Sequence, residues 1–258
     1  MATRIHAAAF VDPGARLGAD VEVGPGAVIG PDVTLGDGTR VGSHALVTGW
    51  TSVGRDCVLH HGAVLGTPPQ DLKYAGEPSY LEVGDHTVCR EYMTANLATE
   101  PGYTTRIGSH CLLMAYSHIA HNCQIGDRVV IANAVQLAGY VVVDDWAIVG
   151  GSTVVHQFTR IGRHCMIGGG SRIPQDVAPF VKTAGSPPRN AGINSVGLER
   201  RGIARESREA LDRAYRLFFR SGLTVGRAVD EIRAQLPGVA EVEHFARFCE
   251  TSVRGVTR

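Results

Sequence analysis

An all-β parallel β-helix followed by a C-terminal α-helical domain is expected from three features of this 258-residue sequence. An aliphatic residue recurs every six positions without a miss at Ile107, Leu113, Ile119, Ile125, Ile131, Leu137, Val143, Val149, Val155, Ile161, Ile167 and Ile173. A small or slim residue falls four places after each, as at Cys111, Ser117, Cys123 and Val129. Residues 191–258 then change to helical spacing. A period of six suits neither a 3.6-residue helix nor a simple alternating strand, and a fixed period of this kind marks a solenoid. Each hexad reads as one flat face, and three hexads close a triangular turn. The aliphatic residue fills the interior and the small residue fits the corner.

The register reaches back to Ile5. Of the 29 hexad positions between Ile5 and Ile173, 24 are Val, Ile or Leu; the exceptions are Asp71, Glu77, Cys89, Ala95 and Pro101, all in the middle. Composition agrees: 32 Gly against 7 Phe suits a thin interior with tight corners. Glycines follow the aliphatic residue at positions 18, 24, 30, 36, 42 and 54, as expected for a turn with unusual dihedrals. Formal net charge is zero, so no chain-wide basic field for nucleic acid is expected. MATRIHAAAF lacks the apolar core of a signal peptide, and no apolar run approaches the ~20 residues of a membrane span. A cytoplasmic protein is expected. Cys57, Cys111, Cys123 and Cys165 occupy the small corner position and no CxxC is present. These thiols read as small core residues in a reducing compartment.

Taken in order, residues 1–65 read as unbroken scaffold. GTPPQDLKYAGEPSY (66–80) interrupts with three prolines and the charged pair Asp71 and Lys73. Eighteen residues separate Leu65 from Val83, so one full turn with a bulging loop is expected. A solvated loop explains this composition, and so does a substrate-binding loop on a rigid scaffold. NLATEPGYTTR (96–106) is a second such loop. PQDVAPFVKTAGSPPRN (174–190) ends the coil, because its prolines remove ladder donors. The β-helix is therefore assigned to 1–190 and the helical domain to 191–258. In the latter, REALDRAYRLFFR, LTVGRAVDEIRAQL and VEHFARFCETSV show amphipathic spacing, with Gly222 as a stop and Thr224 as a cap. Seven arginines between 200 and 220 make its start basic.

Residues eighteen apart stack on adjacent turns, about 4.8 Å apart. His121, Gly139 and Gln157 form one column; Asn122, Tyr140 and Phe158 form the next. Glycine lets a backbone N–H be approached closely beside His121. A base next to a backbone donor is the pair that acyl transfer needs. His118 and His156 lie nearby, so a metal is the competing reading. Asp127, Asp144 and Asp145 show no recognised ligand spacing, and neither metal nor cofactor is expected.

The hexads with a helical tail resemble the hexapeptide-repeat acyltransferases. QDLKYAGEP (70–78), HIAHNCQIG (118–126), GGSTVVHQF (150–158), IPQDVAPF (173–180) and GLERRGIARE (197–206) are similar to motifs of the acyl-carrier-protein–UDP-N-acetylglucosamine O-acyltransferase family, across essentially the whole chain. The resemblance implies left-handed winding, a homotrimer with sites between subunits, and the opening step of lipid A biosynthesis. It implies His121 as general base and the Gly139 N–H as oxyanion donor. It implies Asp71 and Lys73 holding sugar and phosphates, with His118, His156 and Gln157 helping. Asn194 and Arg200 match nucleotide contacts, Gly169 matches an acyl-chain ruler, and the basic helices match a docking surface for the acyl carrier protein. The sequence departs from the family at Asn122, where some members have Asp, and at Tyr140, Asn96, Leu97 and Val196. Those departures leave a 3-amino UDP-sugar acceptor or a drifted non-catalytic scaffold as competing readings. A related N-acyltransferase has an extra N-terminal domain for which hexads starting at Ile5 leave no room, and a zinc-dependent hexapeptide carbonic anhydrase is the remaining alternative.

Overall fold

The structure, a computed structural model, describes residues 2–258. The chain winds as a left-handed parallel β-helix whose three faces are sheets of 11, 9 and 8 strands. Most strands are two residues long, and partners eighteen apart pair in parallel: Ile119 with Leu137, Leu137 with Val155, Ile125 with Val143. The hexad maps onto this directly. The aliphatic residue ends the strand and points inward, three corner residues follow, and the small residue re-enters the core. Ile119, Leu137, Cys123 and Val141 are fully buried. Each buried aliphatic side chain contributes roughly 1.5–3 kcal/mol, so the stacked columns form one continuous core. Turns are clamped by bonds in both directions, with Ala120 N–H donating to Leu137 O at 3.2 Å and Tyr140 N–H donating back to His121 O at 3.0 Å.

Two expectations are corrected. The glycines after the aliphatic residue are not at unusual dihedrals. Positive φ falls two residues later and is borne mostly by side-chain-bearing residues such as His44, Asp56, Asn122 and Tyr140. What position 36 requires is close approach, since a Cβ there would lie 2.6 Å from the Gly54 carbonyl carbon of the next turn. Leu65 and Val83, moreover, do not bound a full turn. Leu65 pairs with Val47 and Ala95 on the second face, whereas Val83 pairs with Val53 and Ile107 on the third. Adjacent faces are normally six residues apart, so the first loop is an insertion at one corner. The second loop, between Ala95 and Ile107, inserts at the same corner one turn on. Together the insertions equal one turn, which is why simple counting recovers the register after Ile107.

The coil ends in a hairpin, Val181–Gly185 and Pro188–Ile193, added to the first face, so position 190 falls inside its second strand. Four helices follow: α1 (Ser195–Arg200), α2 (Arg205–Arg220), α3 (Val225–Gln235) and α4 (Ala240–Glu250). Asn194 caps α1 by accepting from Gly197 N–H. Gly222 follows α2 with φ +75° as expected; Thr224 holds the cap position of α3, but its side chain makes no capping bond. Leu211, Phe218, Ile232 and Phe245 bury the helices against one another. Tyr215 Oη donates to Asn190 O at 3.2 Å and Thr257 N–H to Asp176 O at 2.8 Å, tying the helical unit to the end of the coil. No helix among the described residues is long and apolar enough to cross a membrane.

Candidate active site

His121 stands on the corner between the second and third faces. Ile119 and Cys123, both buried, fix the two ends of that corner. Asn122 between them takes φ +61°, Tyr140 takes +60° and Phe158 takes +63°. Left-handed backbone disfavours most side chains by roughly 1–2 kcal/mol, with Asn among those that tolerate it. Gly139 sits beside the imidazole: a Cβ there would lie 2.6 Å from His121 Nε2 and closer still to Cε1. The Gly139 N–H donates to no backbone carbonyl among the described residues, whereas its neighbours Ala138 and Tyr140 do. At the equivalent position elsewhere the coil leaves the amide to a side chain: Ser109 N–H donates to Asp127 Oδ1 at 2.7 Å. The corner thus presents an amide for an external acceptor within reach of an imidazole.

Both inserted loops fold over this corner and enclose a cavity of about 380 Å³. Asp71, Lys73 and Glu77 come from the first loop, Thr99 and Glu100 from the second, and His121, Tyr140 and Gln157 from the coil. Larger grooves lie on the third face, on the first face beside His6, His60 and His61, and on α2, but none of these is walled by residues of both inserted loops. In the loop wall, Asp71 Oδ1 accepts Lys73 N–H at 3.0 Å, which points both charged residues from one tight turn.

Hydrogen-bond polarity fixes the state of the histidine. Thr99 N–H can only donate, and it meets Asn122 Oδ1 at 3.0 Å. His121 Nδ1 meets the same oxygen at 3.0 Å, so Nδ1 carries a proton, and in the neutral ring the lone pair is on Nε2. The other end of the amide, Asn122 Nδ2, donates to Glu100 Oε2 at 2.7 Å. Tyr140 Oη donates to Glu100 Oε1 in a short bond. Burial opposes ionisation of Glu100, yet the bonds from Tyr140, Thr99 and Asn122 outweigh it and hold the carboxyl below its ordinary range. Burial, then the bond to Glu100, raises the Tyr140 phenol. Burial, then the neighbouring His121, lowers His118.

Asp71, Lys73, His121, Gly139 and Gln157 are therefore brought together. His118 lies on the adjoining face with Nδ1 2.7 Å from Thr94 Oγ1, and His156 donates from Nδ1 to the Gln157 carbonyl at 3.0 Å. Gly169 is on the corner between the first and second faces, because 48 residues from His121 is two turns and two further hexads. Asn194 and Arg200 sit at the third corner, where Asn194 Nδ2 donates to His164 O at 3.0 Å. Within one chain these last three do not reach the His121 cavity. Asn96 staples the loops through Thr67 Oγ1 at 2.9 Å, Leu97 is buried against Gly49, and Val196 is exposed. Sequence reasoning missed Thr99 and Glu100. They lie in an insertion, where periodicity places nothing: the break at NLATEPGYTTR marks a loop there but does not single out these two residues.

A hexad coil with a histidine facing an open amide at one corner defines a hexapeptide-repeat transferase. The bacterial transferase hexapeptide family matches residues 2–36 and 104–139, and the second domain of UDP-N-acetylglucosamine O-acyltransferases matches residues 176–257. The acyl-[acyl-carrier-protein]–UDP-N-acetylglucosamine O-acyltransferase of Thiobacillus denitrificans is 47% identical over 100% of both chains. That of Herminiimonas arsenicoxydans is 44% identical over 98% of this chain and 99% of its own. The solved structure of LpxA from Acinetobacter baumannii superposes with a TM-score of 0.95 at 41% identity, over 98% of this chain and 99% of that one. The LpxA structure from Bacteroides fragilis gives 0.95 at 35%, over 98% and 100%. The chain belongs to the acyl-[acyl-carrier-protein]–UDP-N-acetylglucosamine O-acyltransferase family.

Proposed function

We propose that the protein transfers a 3-hydroxyacyl chain from acyl carrier protein to the 3-hydroxyl of UDP-N-acetylglucosamine, opening lipid A biosynthesis. The observation that carries this is the free Nε2 of His121 facing the Gly139 amide. Nε2 takes the proton of the sugar hydroxyl as that oxygen attacks the thioester carbon. The new C–O bond pushes charge onto the thioester oxygen, and the Gly139 N–H donates to that oxyanion. Collapse breaks the C–S bond, and the imidazolium returns its proton to the departing thiolate. A positioned base contributes about 10²–10⁴-fold and an oxyanion donor about 10²–10³-fold. Lys73 suits the diphosphate, and Asp71 and Gln157 suit sugar hydroxyls.

Gly169, Asn194, Arg200 and His156 join the site from a neighbouring subunit in this reading, which calls for a homotrimer. Two faces support it. Above its lower turns, where Arg4, Glu22 and Arg40 point outward, the first face points Val88, Leu112 and Ile148 outward; the second points Phe10, Val28 and Val154 with His118 and Gln136 among them, and the third Arg16, Glu82 and Arg106. Two different apolar faces per subunit suit a closed ring of heterologous contacts. The basic surface of α2 suits the acidic carrier protein. Arg205, Arg208 and Arg216 pair with Glu209, Glu199 and Asp212 there, while Arg213 has no ion-pair partner among the described residues. Such surfaces steer encounter more than they add affinity. Six free buried cysteines suit the cytoplasm.

The test offers purified protein 3-hydroxyacyl carrier proteins of several lengths with UDP-N-acetylglucosamine or its 3-amino analogue, and reads product mass. An ester on the plain sugar is expected. Acylation of the amino analogue alone would change the acceptor, and no transfer to either would reject the reading.

A further inference from the structure

Asn122 is the side chain hydrogen-bonded to Nδ1 of the His121 ring. An amide orients an imidazole but has no charge to balance the imidazolium formed when His121 takes a proton. The loop inserted after Ala95 supplies that charge from elsewhere. Glu100 accepts from Asn122 Nδ2, 22 residues further along the chain, at 2.7 Å, and Asn122 Oδ1 meets His121 Nδ1 at 3.0 Å. We propose that Glu100 is a positioning residue for His121, acting through Asn122 to lock the base tautomer and to balance its charge during the proton transfer. The proposal rests on the acyl-transfer reading of the same site.

The side-chain amide is oriented from both ends: Thr99 N–H fixes Oδ1 and the Glu100 carboxylate fixes Nδ2, while the backbone N–H of Asn122 is anchored separately by Thr105 Oγ1 at 2.8 Å. No other orientation satisfies all of these donors and acceptors. When His121 becomes an imidazolium, its Nδ1–H polarises the Asn122 carbonyl. The strengthened Nδ2–H dipole is met by a full negative charge. No proton moves along the amide. Tyr140 Oη donates to the far carboxylate oxygen, so the carboxylate is held at both ends. Tyr140 itself stacks on Phe158, ring centroids 4.8 Å apart, and meets the His121 ring edge to face at 5.4 Å. Asn122, Tyr140 and Thr99 are thus the side-chain partners of Glu100. Other charged or titratable groups around the cavity are Asp71, Lys73 and Glu77 on the first loop and His118 on the adjoining face.

The test compares wild type, E100Q and the charge-swapped N122D/E100Q as full-length proteins. Glutamine keeps the shape of Glu100 but removes the charge and presents a donor to one of two donors. E100Q is expected to lose about 10- to 100-fold in kcat with little change in KM, the range for an outer partner that orients an acting histidine. The sign of its pH effect follows from charge. Without the carboxylate the imidazolium is less favoured, so the neutral base survives to lower pH and the acid limb of the kcat profile moves down. ¹⁵N NMR of the imidazole is expected to show one Nδ1–H tautomer in wild type and a mixture in E100Q. N122D/E100Q puts the charge directly on the base and is expected to recover most of the rate. A slowed E100Q with an unmoved acid limb and an unchanged tautomer would reduce Glu100 to a loop fastener and overturn the proposal. So would an E100Q within twofold of wild type. If wild type itself transfers nothing, the functional reading fails, and the tautomer comparison still decides the role of Glu100.

Discussion

A Cβ placed on Gly139 would stand 2.6 Å from Nε2 of His121. The glycine carries no positive φ, so its requirement is steric: the ring of the base occupies the volume that any side chain would claim. Gly139→Ala is expected to displace the imidazole and screen the amide together. The imidazole can swing outward, so stability changes little while kcat falls at least about 100-fold, the cost of one oxyanion donor. Steady-state kinetics beside a thermal melt check this.

His121→Ala is expected to fold as wild type, because the side chain lies on a corner outside the core. Its transfer rate is expected to fall by about 10²–10⁴-fold, the contribution of a positioned base. Substantial remaining activity with the same product would sink the mechanism.

Val154 is 45% exposed on the second face. On the proposed homotrimer, Val154→Arg is expected to leave the coil intact and to give species smaller than a trimer in sedimentation. Activity should fall with it, because Gly169 lies on a different corner of the chain from His121. A monomeric variant with full activity would show that one chain suffices.

Stability is expected to fall as pH drops below about 6.5. Burial, then the guanidiniums of Arg201 and Arg163, push His164 down to about 4. Burial also lowers His118 and His244. These groups have folded values below their unfolded ones, so between those values the unfolded chain binds more protons and acid favours unfolding. His164 alone accounts for at most about 3 kcal/mol by pH 4. Its Nδ1 accepts from Arg201 at 3.2 Å, which protonation forbids. Denaturant midpoints from pH 7 to 4 measure the slope, and His164→Phe, which keeps the stack on Trp146 and Phe180, should flatten it.

All six thiols are free and buried. Burial raises each, Cys111 to about 11 and Cys123 to about 12. The thiolate is the reactive form, so native protein is expected to resist thiol labelling and denatured protein to react at all six positions.

Much of this was legible before any coordinates. The hexads named the coil because each inward residue repeats a single local requirement, as Ile119, Leu137 and Val155 do. The column of His121, Gly139 and Gln157 followed from spacing alone. The rest depended on contacts without a period. Glu100 meets Asn122 only because an inserted loop doubles back. The faces of Leu65 and Val83 were misread because two insertions add up to one turn. Helix α1 is six residues long, too short for its own periodicity to show, and it is held by Asn194 rather than by a stripe.

His121, Gly139 and Gln157 each belong to a separate rung, and rungs contact only their neighbours. The molecule can therefore be shortened in whole rungs. Removing eighteen residues well below the corner, such as 20–37, would leave every chemical group in place and alter only how far the site stands from the open end. Removing one rung inside the corner would keep an equally well-made coil and abolish its chemistry.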